Sequence, residues 1–420
     1  MNAHVVNRSA AEKTLFRQFA EQQAREPSPV RAAAFARFAE AGLPTRRVEA
    51  WHYTDLRAAM ADAAPVLAAP TPADIEAARL RLARRERFAP GAQLVLLGGR
   101  YSGELSDRLP DGVTVTEGAV VAVPVSDPLA ALNEALSPSG CTISVARGAE
   151  IAEPITILHL ANGTSDYSVY SRSAIALNAG ARASFVEVFE GAQARVQRHS
   201  ATIMTLAKGA KAMHVAVVGD EPGLHIETHV CDLADNAELE AFGLISGGDL
   251  TRRQIFVRMT GDEAKVSLGG LALIDGDRRA DTTLQVVHAA PRGTSREFYR
   301  AIVDDDAIGV FQGKIIVERA AQKTDGAMKS QAILLSPRAQ MNEKPELEIF
   351  ADDVVCGHGA TVASLDAEQV FYLRSRGIPE SDAKAMLLEA FGGESIDRIE
   401  DELLIEALRA RLRAWLGSRM

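Results

Sequence analysis

A chain of 420 residues and 44.9 kDa is long enough for one large domain or two to three ordinary ones, so its core needs no disulfide or metal staples. Its 46 basic and 56 acidic residues leave a formal charge of −10 and a pI near 5.5, which argues against a partner held mainly by phosphate electrostatics, nucleic acid above all. With 47% apolar and 24% charged residues, the composition is that of a folded globular protein and not of a disordered one.

The first ninety residues carry helix signals. Ser9 with Glu12 has capping-box spacing and precedes Leu15, Phe16 and Phe19 on one face. Ser28 before Pro29 is a second start, with Gly42 placed to end that helix. Thr71 before Pro72 is a third, with Asp74 and Glu76 near the positive end of the helix dipole, and Gly91 closes the region.

From Gln93 the pattern becomes extended. Short β-branched runs such as QLVLLG, TISVA, PITILHL and ASFVEVFE are bounded by Gly, Asp and Asn. A turn signature recurs: Gly148-Ala149, Gly180-Ala181, Gly209-Ala210, Asn236-Ala237, Glu263-Ala264, Asp306-Ala307 and Gly359-Ala360. Its alanines are spaced 32, 29, 27, 27, 43 and 53 residues apart, a repeat with insertions. Repeats of this length built from short strands predict a β-solenoid, in which each coil buries its inward face against its neighbours. A sandwich or barrel would want more hairpin dipeptides than Asp111-Gly112, Asn162-Gly163, Asp275-Gly276 and Asp325-Gly326.

After Leu365 helices return. Asp366 and Gln369 start one that ends at Gly377 before Pro379. A second runs from about Glu380 to Phe391 and stops at Gly392-Gly393. A third carries the stripe Ile396, Ile399, Leu403, Ala407, Leu408, Leu412 and Trp415, with Arg409, Arg411 and Arg413 late in the helix. The apolar face of this bundle either packs on its own domain or docks a partner. The organisation expected is therefore a helical region over 1–92, a β core over 93–364 and a helical domain over 365–420.

Cys141, Cys231 and Cys356 are too few and too scattered for a disulfide framework or a CxxC cage, which fits a reducing compartment. The N-terminal stretch has no apolar h-region and the chain has no run of ~18 apolar residues. A cytoplasmic protein without membrane contact is expected. Phosphate loops, dinucleotide glycine turns, H-E-x-x-H helices and G-x-S-x-G elbows are all missing, so the chain has no evident means of binding a nucleotide or running acyl or zinc chemistry.

Two constellations remain. In HIETHVCDL, His225, Glu227, His229 and Cys231 share one side of an extended strand. They are either a soft-metal row or, the reading favoured by the residues alone, the solvent or edge face of the strand with Cys231 as a small hydrophobe. In DDVVCGHGAT, Cys356 and His358 share a face, and Gly357 and Gly359 leave room for another surface to approach. Two donors do not make a cluster or zinc site, which needs about four, so these two are structural or another chain supplies the rest.

The segment NEKPELEIFADDVVCGHGATVASLDAEQVFYLRSRGI, residues 342–378, closely resembles the C-terminal signature of the SufB/SufD family of iron-sulfur cluster assembly proteins. RRVEAWHYTDLR, residues 46–57, is similar to the family's E-x-W-K-Y-T-D-L element, with His52 in place of Lys. SufB subunits have a His-Glu-Ala motif where this chain has His358-Gly359-Ala360-Thr361 and run longer with more cysteines, so the resemblance is to the SufD branch. It implies a mainly β fold, a right-handed parallel β-helix flanked by N- and C-terminal α-helical regions. It also implies a non-enzymatic scaffold subunit that pairs with SufB through the β-helix and docks the ATPase SufC through its C-terminal helices, with a homodimer possible without SufB. On that resemblance His358 lies at the SufB interface and handles a transient iron or iron-sulfur cluster shared with SufB, with Cys356 beside it; no nucleotide binds this chain itself. A structural spacer, or a β-helix carbohydrate-active enzyme, are the rival functions. The latter sits poorly with 5% aromatic residues.

Overall fold

Two parallel ladders account for the extended pattern that begins at Gln93. The structure is a computed structural model describing residues 8–418 except 119–121, 123, 139, 162–164, 191–193 and 220. The Asn162-Gly163 pair lies outside the described residues. The protein is mainly β, 41% strand against 25% helix, with a β-solenoid of about eight turns and helices at both ends of the chain.

The N-terminal helices are α1 (Ala10–Arg25), α2 (Pro29–Ala41), α3 (Leu56–Ala59) and α4 (Pro72–Arg84), with a 3-10 turn at Glu49–Trp51. Ser9 and Glu12 close both halves of their capping box, and Ser28 accepts from the Arg31 amide. Thr71 forms its box with Asp74. The strands are β1 (Gln93–Leu97), β2 (Arg100–Tyr101), β3 (Val113–Glu117), β4 (Gly140–Val145), β5 (Ile155–Leu160), β6 (Tyr167–Leu177), β7 (Arg182–Glu190), β8 (Val196–Leu206), β9 (Lys211–Val218) and β10 (Gly223–Leu233). They continue as β11 (Glu238–Ile245), β12 (Leu250–Met259), β13 (Lys265–Ile274), β14 (Arg279–His288), β15 (Thr294–Val303), β16 (Ile308–Val317), β17 (Asp325–Leu334), β18 (Gln340–Ile349) and β19 (Val355–Ser364). Between β3 and β4 lies α5 (Pro128–Leu136), and the chain ends in α6 (Ala367–Ser375), α7 (Glu380–Ile396) and α8 (Glu402–Gly417).

From β4 onward successive strands alternate between two sheets. One runs β19-β17-β15-β13-β11-β9-β7-β5-β1-β2, the other β18-β16-β14-β12-β10-β8-β6-β4-β3. All neighbours pair in parallel except β2 on β1 and β3 on β4, which are antiparallel and lie at the same end of the rod. The recurring turn is one corner of this coil. Gly148, Gly180, Gly209, Asn236 and Glu263 all have positive φ there, and Arg292 and Lys323 continue the series. Each turn amide donates to the next turn, as from Gly180 to Lys208 O and from Asn236 to Asp262 O.

The last two members of the predicted repeat do not belong to it. Asp306-Ala307 lies at the opposite corner, where Asp305 carries the positive φ, and Gly359-Ala360 lies inside β19. Gly223, with φ 115, has no space for a side chain, because a Cβ would lie 2.2 Å from Val196 O, whereas at Gly209 a Cβ would meet nothing within 4 Å. Gly223→Ala should therefore cost at least about 1–3 kcal/mol, clearly more than Gly209→Ala. Equal denaturation midpoints for the two variants would contradict this.

One apolar cluster runs between the sheets along the rod, from Leu94 and Ile143 through Leu239 and Ile255 to Phe311 and Met328. The outer face of the β18-to-β3 sheet is covered by α1, α2, α5 and the Trp51 segment, while α4, α7 and α8 cover the outer face of the other sheet. Trp51 is fully buried beneath the Arg252 guanidinium, 3.7 Å from its ring centroid. Arg252 is in turn held by Asp281 at 2.5 Å and donates to Ala50 O at 2.6 Å. The E-x-W-x-Y-T-D-L element is thus a clamp fastening the N-terminal region to the rod.

The C-terminal helices differ from the sequence expectation. α7 runs through Gly392 and Gly393 to Ile396, because both glycines are buried and Gly392 lies against Leu412 and Leu271, where a Cβ would approach Leu412 to 3.0 Å. Ile396 therefore ends α7 instead of opening the last helix. The buried stripe of α8 is Leu404, Leu408, Leu412, Trp415 and Leu416, with Leu403 exposed. Among the described residues no helix is long and apolar enough to cross a membrane.

Candidate functional site

The terminal coil, β18 and β19, carries the signature segment. β18 pairs with β16 and β19 with β17, and in the sheet order each strand lies at an edge, so one row of backbone donors and acceptors on each is open to further pairing. Apolar side chains are exposed around this edge, including Phe350 at 59% and Val355 at 73%.

Period-two alternation turns Cys356, His358 and Ala360 toward the lumen side of β19. Cys356 packs partly buried against the core cluster, while His358, opposite the buried Met328, is exposed at the open end. A Cβ on either Gly357 or Gly359 would meet nothing within 4 Å, so the face of β19 opposite the imidazole is open. Burial pushes the Cys356 thiol up, partly offset by its hydrogen bond with the Gly326 backbone. Among the described residues, no three His, Cys, Asp or Glu groups converge to hold a metal ion. The structure thus brings Cys356 and His358 onto one face, without a third such donor.

The row His225, Glu227, His229 and Cys231 faces the lumen and is 1–3% exposed, not the solvent or edge face expected. Ile226, Thr228 and Val230, on the other side of β10, are buried as well, because helices cover that face. Glu227 accepts from Arg253 Nε at 2.8 Å and Nη2 at 3.1 Å. The His229 ring lies 4.4 Å from that of His214, and His225 lies edge-on to Phe189 at 4.5 Å. Burial holds both His225 and His229 well below the ordinary imidazole range and pushes the Cys231 thiol well up.

This row is part of a longer polar strip inside the rod that the sequence reading missed. Glu187, fully buried, has Oε1 3.5 Å from His159 Nε2 and Oε2 3.4 Å from His214 Nε2, and accepts from Thr202 Oγ1 at 2.8 Å. Burial alone would push its carboxyl up, but the two imidazoles outweigh burial and hold it well below the ordinary range. Nearer the open end, burial pushes Glu297 up to about 8 and Glu343 up to about 7, each against an opposing hydrogen bond, from Ser295 to Glu297 and from the Ser330 hydroxyl to Glu343 at 3.0 Å. Strand parity could have found Glu187, since in FVEVF it shares a face with Phe185 and Phe189.

A parallel solenoid, a Trp51 clamp and an exposed Cys-Gly-His-Gly strand at an open end together define one class of protein. The family model described as SUF system FeS cluster assembly, SufBD core domain, matches residues 159–391. The chain belongs to the SufBD family. Within it the chain is a homologue of SufD: it is 32% identical over 389 residues to the iron-sulfur cluster assembly protein SufD of Escherichia coli (strain K12), spanning 88% of this chain and 89% of that protein. It is also 28% identical over 411 residues to a SufBD family protein of Synechocystis, spanning 90% of this chain and 87% of that one. A third relative, the chloroplastic protein ABCI7 of Arabidopsis thaliana, is 27% identical over 331 residues, 76% of this chain and 68% of that one.

Proposed function

We propose that this chain is the SufD-type subunit of a cytoplasmic SufB–SufC–SufD scaffold, without a complete active site of its own. It presents His358, with Cys356 beside it, to a SufB-type partner whose donors complete a transient site for iron or a nascent cluster. The observation that carries this reading is the open terminal strand β19, with an exposed imidazole on its lumen-side row and open space on its other face at Gly357 and Gly359. Strand addition at such an edge supplies both affinity and register. In the absence of the partner the same edge pairs with a second copy.

The C-terminal helices dock the ATPase SufC, which binds the nucleotide that this chain does not. This is supported by α6, which buries no residue, and by Phe371 at 72%, Tyr372 at 57% and Met386 at 50% exposure. Co-expression with SufB- and SufC-type subunits should give a stable ternary complex. In it His358→Ala should slow cluster formation at least several-fold while size and stoichiometry stay unchanged. Normal cluster formation by the variant complex would refute the role of His358, and a spacer subunit would then be left.

A further inference from the structure

One acid at the open end has no part in the chemistry proposed above. Glu343 on β18 pairs in register with Phe311 of β16 and faces the lumen, as Met341 two residues before it does. Its Oε1 accepts from the Ser330 hydroxyl of β17 at 3.0 Å, a contact that crosses the lumen from one sheet to the other. Its Oε2 is sealed from solvent and has no hydrogen-bond partner. On β17, Ser330 pairs with Ala360 and Met328 with His358, and β18 lies between β17 and β19 along the coil. The Glu343 carboxyl therefore sits across the lumen from the row that carries His358.

Among the described residues, the titratable groups that face it from the strands around it are Glu297 and Tyr299 of β15 and Cys356 and His358 of β19, with no permanent cation among them. Lys314 and Lys344 stand on the outer face, paired with Glu348 and Glu49, and Lys329 lies over the ring of Phe298 on the outer face of the other sheet. Burial is thus opposed only by the Ser330 bond and pushes the carboxyl up to about 7, where a group both accepts and releases a proton readily near neutral pH. Iron binds thiolate and neutral imidazole, so loading it frees protons. A mouth covered by a partner's strands has to pass them to an acceptor on the inside.

We infer that Glu343 is the proton acceptor of this end of the rod, taking the proton that a cysteine thiol gives up when it binds iron. The inference rests on the reading that the open end handles iron or a nascent cluster, and it names the group that lets the site load. The S–H bond breaks as the S–iron bond forms, and the proton adds to Oε2 of the Glu343 carboxylate while Oε1 stays on the Ser330 hydroxyl. The proton then leaves to water when the mouth reopens, and no electron is transferred.

The test is the rate of cluster formation by the ternary complex between about pH 6 and 8.5, supplied with iron and sulfide under anaerobic conditions. The rate should rise with an inflection near pH 7. Glu343→Gln, which keeps an acceptor for the Ser330 hydroxyl and so should leave size and stoichiometry unchanged, should remove the inflection and lower the upper plateau about tenfold or more. Glu343→Asp should restore the inflection. In the full chain alone, infrared difference spectra on raising the pH through 7 should show one protonated-carboxyl signal fewer in Glu343→Gln than in the unsubstituted chain. The same pH–rate curve in Glu343→Gln, or a Glu343 carboxyl already ionised at pH 6, overturns the acceptor and leaves the role of His358 standing. Normal cluster formation by His358→Ala, with the inflection still lost in Glu343→Gln, overturns the role of His358 and leaves the acceptor standing.

Discussion

Arg253→Met should destabilise the protein by about 3–5 kcal/mol, because it leaves the carboxylate of Glu227 buried without its partner. Both side chains lie in the lumen, 2% and 1% exposed, and meet through two hydrogen bonds of 2.8 and 3.1 Å. The space for the guanidinium comes from the facing sheet, where a Cβ on Gly243 would fall 1.1 Å from Arg253 Nη1. Gly243→Ala should therefore expel the guanidinium and approach the same loss. Replacing both partners by apolar groups, Glu227→Leu with Arg253→Met, should recover most of the stability, since an apolar pair of similar volume carries no desolvation cost. Urea denaturation with an unchanged m-value is the measurement. A loss below about 1 kcal/mol for Arg253→Met, or no recovery in the double variant, would show that the pair is not what holds this layer of the rod.

Stability should vary little between about pH 4.5 and 6.5 and fall steeply below that. Burial lowers His199 to about 3 and His288 to about 4, and takes His225 and His229 well below the ordinary range. These rings stay neutral in the native state while the unfolded chain takes up protons below its own imidazole pKa near 6.5. Their contribution is thus complete above that pH and is lost on acidification, about 1.4 kcal/mol per pH unit for each. Glu297, raised to about 8, and Glu240 and Glu343, raised to about 7, have the opposite sign, with burial the main cause for each. Their contribution is complete below the unfolded carboxyl pKa near 4.5 and is lost as pH rises through 7 to 8. From pH 4.5 to 6.5 four histidines oppose three carboxyls. Below 4.5 the carboxyls drop out, and Glu187, whose pKa is lowered, adds to the loss on the acid side. Thermal midpoints from pH 3.5 to 8.5 should show this shape. His199→Phe, which keeps the stacking on Tyr170 at 4.8 Å, should make the acid limb shallower. An acid limb no steeper than the slope between pH 5.5 and 6.5, unchanged in His199→Phe, would refute the assignment.

The solenoid was legible because one corner of every coil needs a residue with positive φ followed by a small one, and Gly180-Ala181 through Glu263-Ala264 keep that chemistry. It faded where Arg292-Gly293 and Lys323-Thr324 filled the same corner with other residues. α5 was missed although Asp127 and Pro128 are a regular start signal, which the surrounding strands masked. The direction of His225, Glu227, His229 and Cys231 was not legible from alternation, because both faces of β10 are buried and polarity no longer distinguishes them. Cys356 and His358 stood out through their flanking glycines.

The two ends of the rod are unlike. At one, β2 and β3 run antiparallel to their neighbours and stop the parallel ladder; at the other, β18 and β19 leave it open. On the reading proposed above, a partner adding to the open coil would extend a parallel ladder, whereas anything meeting the other end would have to join onto strands that run against it.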